Sequence, residues 1–191
     1  MRLSSGPGAW CPLGRGEATR RAVGFASGAT MIKISTADLC DKYSDIAVAE
    51  PLFVDFGGLD AFHGRIATLK LFEDNALVRT LLEEAGNGRV LVIDGGGSTR
   101  CALIGGALAA LAVTNGWRGA LVNGCVRDID ELHSISFGIK AIAAHPRKSQ
   151  KGLHTGCRNL QVHFAGVSFN DGDWLYADPD GVVLSKRELL E

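Results

Sequence analysis

This chain lacks the marks of several protein classes. No apolar run approaches the length of a membrane span, so a membrane partner is not expected. The five cysteines, Cys11, Cys40, Cys101, Cys125 and Cys157, are odd in number and contain no Cys-x-x-Cys pair. They read as free thiols in a reducing, cytoplasmic compartment, not as a disulfide frame or a zinc site. A formal net charge of -1 leaves no basic surplus for direct contact with nucleic acid. Internal repeats and low-complexity tracts are also missing. What is present is a core: 46% of the 191 residues are hydrophobic, enough for one globular domain without cross-links.

Residues 1–30 differ from the rest. Arg2, Arg15, Arg20 and Arg21 face a single acid, Glu17, a surplus of +3 that leaves -4 on residues 31–191. The composition suits a transit peptide, but the glycines oppose the amphipathic helix such peptides form. A disordered extension, or an upstream start to a protein whose natural first residue is Met31, is the expectation. A single domain is expected over residues 31–191.

The densest chemistry lies between Val90 and Asp128. Val90 to Ile93 is a short strand pattern that stops at Asp94-Gly95-Gly96-Gly97-Ser98. Gly105-Gly106-Ala107-Leu108 then opens an apolar helical run closed by Asn115-Gly116, and its apolar residues all round predict burial on most faces. Ala120 to Val122 is the next strand, with Asn123 to Val126 leading past its end to Arg127 and Asp128, where α/β folds place their ligands. A helix opening on two glycines exposes its first N–H groups to a small anion such as a carboxylate. Arg127 can hold a carboxylate or carbonyl oxygen through its planar fork, and Asp128 can ligate a hard divalent ion such as Mg2+ or Mn2+. Glycine turns and Arg-Asp neighbours also occur as plain structure, so the conjunction carries the argument.

The segments Val90 to Ser98, Gly105 to Leu108, Asn123 to Asp128 and Gly172 to Gly181 resemble the regulator of ribonuclease activity A family, which is related to the class II 4-hydroxy-4-methyl-2-oxoglutarate aldolases. The resemblance runs in order from about Ile34 to the C-terminus. It implies an α/β fold, a swivelling β/β/α domain, assembled as a homotrimer or a dimer of trimers. It also implies a divalent-metal-dependent lyase that cleaves a 4-hydroxy-2-oxo acid to pyruvate, with oxaloacetate decarboxylation as a second activity. Arg127 then matches the substrate-binding arginine, Asp128 the metal ligand, and the backbone of Gly105, Gly106, Ala107 and Leu108 the pyruvate-binding turn. The family's aldolases carry an acid, then twenty residues, then Arg-Asp. Here that position is Gly106, which has no carboxylate. The alternative implied by the same resemblance is a non-catalytic protein that binds and inhibits a ribonuclease of the ribonuclease E type.

Other residues carry weaker signals. Ser35 or Thr36 is expected to cap a first helix, and Asp74 or Asn75 a second, with Glu73 in the same capping cluster. His63 is expected to be packed or solvent-facing, and His133 is a base in principle only. Asp130 and Glu131 are expected to be solvated and to point away from Asp128. Asp178-Pro179-Asp180-Gly181 predicts a hairpin turn. The basic stretch His145 to Gly152 suits either attraction of a dicarboxylate, a solvated loop or a contact between subunits.

Overall fold

The computed structural model describes residues 34–150, 152 and 156–190. The expectations for residues 1–30 lie outside them. The described chain runs α1 (Thr36–Lys42), β1 (Ala47–Val48), β2 (Val54–Asp55), β3 (Phe62–Leu71), α2 (Ala76–Leu82), β4 (Val90–Asp94), β5 (Ala102–Ile104) and α3 (Gly106–Thr114). It continues through β6 (Gly119–Val126), α4 (Ile129–Ser134), β7 (Gly138–Ala144), β8 (Gly156–Arg158), β9 (Val162–Phe164), β10 (Val167–Phe169), β11 (Trp174–Asp178) and β12 (Gly181–Ser185).

The main sheet has the order β1-β12-β11-β3-β4-β6-β7-β2, with β5 beside β6 and β8 beside β3. Strand β3 joins its two halves: Phe62 to Arg65 pair antiparallel with β11, and Ile66 to Lys70 pair parallel with β4. The two end strands, β1 and β2, are separated only by residues 49–53. Those residues reach roughly 20 Å at most, so the sheet must curl until its edges approach. The space inside the curl holds Phe62, Ile66, Val90, Val92, Leu121 and Phe169, closed by the β9–β10 hairpin. On the other face of the parallel half, α2, α3 and α4 pack over Leu69, Leu91, Ile93, Val122 and Ile139. The result is a layered β/β/α domain. Burial on both faces explains why β4 is an unbroken apolar run with every residue buried.

Both expected caps are used, one of them differently. Ser35 accepts from Asp38 N at 3.2 Å and starts α1. At α2 the capping side chain is Asp74, which accepts from Ala76 N at 2.8 Å, while Asn75 turns away and donates to the Leu103 carbonyl at 3.0 Å. Asp178 accepts from Asp180 N and Gly181 N in the hairpin turn, and also from Thr36 N and Oγ1 at 2.6 Å each. One buried carboxylate thus shapes the turn and anchors α1.

Two expectations are corrected. Strand β6 does not end at Val122 but runs to Val126 through a register shift after Val122. Asn123 and Gly124 are bulge residues, not a stop signal. Helix α3 buries Gly106, Leu108, Ala109 and Ala112, but Ala107, Ala110 and Val113 are exposed. The sheet covers only one side of this helix, so its all-round apolar sequence is not matched by all-round burial. Among the described residues, no helix is long and apolar enough to cross a membrane, and the four described cysteines are free.

Candidate active site

The bulge in β6 positions Arg127 and Asp128. Up to Asn123, β6 pairs with β4; beyond it, Cys125 and Val126 pair with β5. The Asn123 carbonyl accepts from Gly95 N and Gly97 N, and its side chain donates to Asp94 Oδ1 at 2.9 Å. The glycine-rich loop after β4 is therefore a structural clamp that frees the end of β6. Arg127 N donates to the Ile104 carbonyl at 3.0 Å, fixing Arg127 beside the turn that follows β5. Asp128 begins α4 with φ 61 and ψ 47, a left-handed conformation that Asp tolerates better than most residues. This twist points its side chain back over the Gly105–Gly106 turn. Oδ2 lies 3.3 Å from Gly106 N and 3.4 Å from Arg127 Nε.

The two glycines leave space that neighbouring side chains enter. A Cβ on Gly105 would lie 2.5 Å from Asp128 Oδ2 and 3.1 Å from Arg127 Cγ. A Cβ on Gly106 would lie 2.0 Å from Glu131 Oε2. Gly106 N is occupied by Asp128 and Leu108 N by the Gly105 carbonyl. Ala107 N has no acceptor among the described residues, which makes it the open donor of the turn. Gly105, Ala107, Leu108, Arg127 and Asp128 all face one cavity of about 400 Å3.

Glu131 is exposed, as expected of it, but it does not point clear of the glycine turn. It was expected to point away from Asp128, yet its carboxylate reaches the Gly106 position. The physical reason is helical spacing: the first residue of the cap and the third residue of the helix are neighbours on one face. Asp-x-x-Glu at a helix start was the available signal. Asp128 and Glu131 could together hold a divalent ion. Mg2+ is commonly bound by one or two carboxylates with water completing its shell. Among the described residues no group of three His, Cys, Asp or Glu is placed to hold an ion.

The remaining candidates fall elsewhere. His63 stacks on Tyr176 with ring centroids 5.7 Å apart, and burial pushes its pKa down. His133 is exposed on α4 and does not line the cavity. Glu73 is used otherwise than as a cap: it pairs with Arg100 at 2.7 Å and accepts from Ser98 Oγ, tying down the glycine loop, and the Arg100 hydrogen bond first, then that of Ser98, holds its carboxyl below the usual range. The cavity wall also contains Arg79 and Glu83, the cap candidate Asn75, and Lys148 and Ser149 of the basic stretch.

The layered β/β/α domain thus places a glycine turn, an Arg-Asp pair and a second carboxylate together at the end of its parallel strands. Residues 36–184 match the family model described as RraA-like, Aldolase/RraA, and the chain belongs to that family. It is 53% identical over 162 residues to an Alkalilimnicola ehrlichii protein named "Putative 4-hydroxy-4-methyl-2-oxoglutarate aldolase", covering 84% of this chain and 99% of that one. Among solved structures it matches the RNA-processing inhibitor RraA of Thermus thermophilis with TM-score 0.80 and 44% identity, over 83% of this chain and 96% of that one. A Geobacillus kaustophilus protein titled as an S-adenosylmethionine:2-dimethylmenaquinone methyltransferase matches with TM-score 0.79 and 44% identity, over 82% of this chain and 97% of that one.

Proposed function

We propose that this protein is a divalent-metal-dependent lyase that cleaves 4-hydroxy-4-methyl-2-oxoglutarate, or a related 4-hydroxy-2-oxo acid, to pyruvate, and that decarboxylates oxaloacetate at the same site. The observation that carries this reading is the convergence of Arg127, Asp128 and Glu131 on the Gly105–Gly106 turn. Aldolase-named relatives of high identity support it. Arg127 would take the 2-oxo acid carboxylate or carbonyl through its fork, with Ala107 N as a second donor. A divalent ion such as Mg2+ or Mn2+ held by Asp128 and Glu131 would supply positive charge to the 2-oxo acid oxygens. As the bond between C3 and C4 breaks, its electron pair moves onto the pyruvyl half as an enolate, and the 4-hydroxyl loses its proton to become the new carbonyl. Protonation at C3 completes pyruvate. Oxaloacetate gives the same enolate when CO2 leaves, so one set of donors serves both reactions.

The test is pyruvate release from both compounds with Mg2+ or Mn2+, and again with chelator. Chelator-sensitive release is the expected result. No release from either compound would remove the lyase and favour the second reading, inhibition of a ribonuclease through the protein surface, which the 44% identity to an RNA-processing inhibitor supports.

A further inference from the structure

At the end of the parallel strands away from the cavity, three arginines stand in a row. The register pairs Ile66 of β3 with Val90 of β4, and Val90 with Gly119 of β6. One step earlier on each strand are Arg65, Arg89 and Arg118, and Arg118 N donates to the Arg89 carbonyl at 2.9 Å, so the level continues across them. Trp174 of β11 is the partner of Arg65 on the other side. Side chains alternate along a strand, and Ala67, Leu91 and Ala120, two residues beyond the arginines, lie on the helix-covered face. The three arginines therefore project to one side of the sheet. Across two strand spacings, Arg65 and Arg118 start about 10 Å apart.

No acid neutralises this row. Arg65 and Arg118 are exposed and make no ion pair among the described residues. Arg89 lies over the Trp117 ring and donates to the Gly86 and Ala85 carbonyls at 3.1 and 2.9 Å, again without a carboxylate. Of the acids nearby, Asp173 accepts from Asn170 at 2.8 Å, and Glu188, close enough to act on His63, pairs with neither exposed arginine. Like charges facing each other across strands are destabilising. A bound anion would remove that cost.

Two observations say which anion. The Arg65 guanidinium sits 5.4 Å from the centroid of the Trp174 ring, whose indole also packs on the Leu39, Tyr176 and Leu189 cluster. A nucleic-acid base needs an open aromatic face, and this one is taken. Residues 31–191 are also net negative, which repels a polyphosphate chain but leaves room for a local match of carboxylates to guanidinium forks. We propose that Trp174, Arg65, Arg89 and Arg118 form a docking surface for an acidic segment of a partner protein, whose carboxylates bridge Arg65 and Arg118. Strand β6 runs 8 residues from this row towards Arg127, roughly 20 Å, so surface and cavity can be occupied together. Docking here needs neither a 2-oxo acid nor a divalent ion.

Fluorescence anisotropy on the full chain tests this with three labelled probes: an alternating Glu-Ala peptide, a Lys-Ala peptide of equal length, and an oligothymidylate. The Glu-Ala peptide should bind at low salt, more tightly than either of the others, and weaken as salt is added. Its affinity should fall on the order of tenfold in Arg65→Ser/Arg118→Ser, the joint effect of two exposed ion pairs. Arg65→Lys/Arg118→Lys keeps the charges and should keep most of the binding, which separates a lost contact from a lost fold. Pyruvate release should be the same in all three proteins. The docking surface is overturned by no binding of the Glu-Ala peptide, by equal binding of the Lys-Ala peptide, or by undiminished binding in the serine variant. A lysine variant that binds no better than the serine one overturns it too, and tighter binding of the oligothymidylate would make the row a nucleic-acid surface instead.

Discussion

The Glu131 carboxylate stands in the space that a side chain on Gly106 would fill, 2.0 Å from where its Cβ would lie. The position on the first turn of α3 where the family resemblance implies an acid is thus bordered by a carboxylate reaching across from α4. Absence of a side chain at one position is what admits a side chain from the other.

Gly106→Ala should push the Glu131 carboxylate aside, because the contacted atoms are the flexible end of a side chain and not backbone. Activity with Mg2+ should fall on the order of ten- to a hundredfold, the usual effect of disturbing groups around a metal. Gly106→Asp combined with Glu131→Ala should recover much of that loss. Steady-state pyruvate release from oxaloacetate compares the three proteins, and a double variant no better than Gly106→Ala would sink the idea that the two positions share one role.

Asp128 combines a charge with a left-handed backbone, and two substitutions separate these. Asn is at home in that conformation, so Asp128→Asn should keep the thermal midpoint of the wild type while losing metal-dependent pyruvate release. Asp128→Ala should lose the same activity and also about 1 kcal/mol of stability, the cost of the left-handed region for an ordinary residue. Thermal melts alongside activity assays read the two effects apart, and an active Asp128→Asn would remove Asp128 from the chemistry.

Lys140 is 2% exposed in the middle of β7 and reaches Asp55 of β2 at 2.8 Å. Removing the acid leaves a buried cation without a counter-charge, so Asp55→Ala should destabilise the fold by roughly 3 kcal/mol or more. Lys140→Met, which removes the charge and keeps the volume, should cost less. Urea unfolding midpoints decide the order, and equal losses would show that the ion pair contributes only packing.

Much of this arrangement was legible because local chemistry and fold agree. Ser35 caps α1, Asp178 to Gly181 forms its hairpin turn, and the Val90 to Ile93 run is a strand buried on both faces. The parts that were not legible depend on partners distant in sequence. Asn123-Gly124 has the composition of a stop, yet β6 continues because β5 replaces β4 as its neighbour there. Strand β5 itself is three residues long, too short for a periodic signal. Glu131 and Lys148 are exposed charges, and only the placing of the turn after β5 brings one to Gly106 and the other to the cavity wall. Helix α3 misled in the other direction, since its composition says how apolar it is and not how many neighbours it has.

His63 gives the fold a pH dependence whose sign is fixed. Its ring lies parallel to Tyr176 and stacks against Trp174, and burial first, then the nearby Arg118 charge, lowers its pKa below 6.5. The folded protein therefore binds the imidazole proton less readily than the unfolded chain. Above the unfolded value both states carry a neutral ring, and the contribution to stability is fully present. As pH falls through 6.5 the unfolded chain takes up the proton first, and stability is lost until the folded pKa is passed. His63→Phe keeps a flat ring for Tyr176 and Trp174 but cannot titrate. Between about pH 7 and about pH 5, a window that brackets histidine titration, the urea midpoint of His63→Phe should fall less than that of the wild type. Midpoints that fall in parallel would mean that other groups carry the acid sensitivity of the fold.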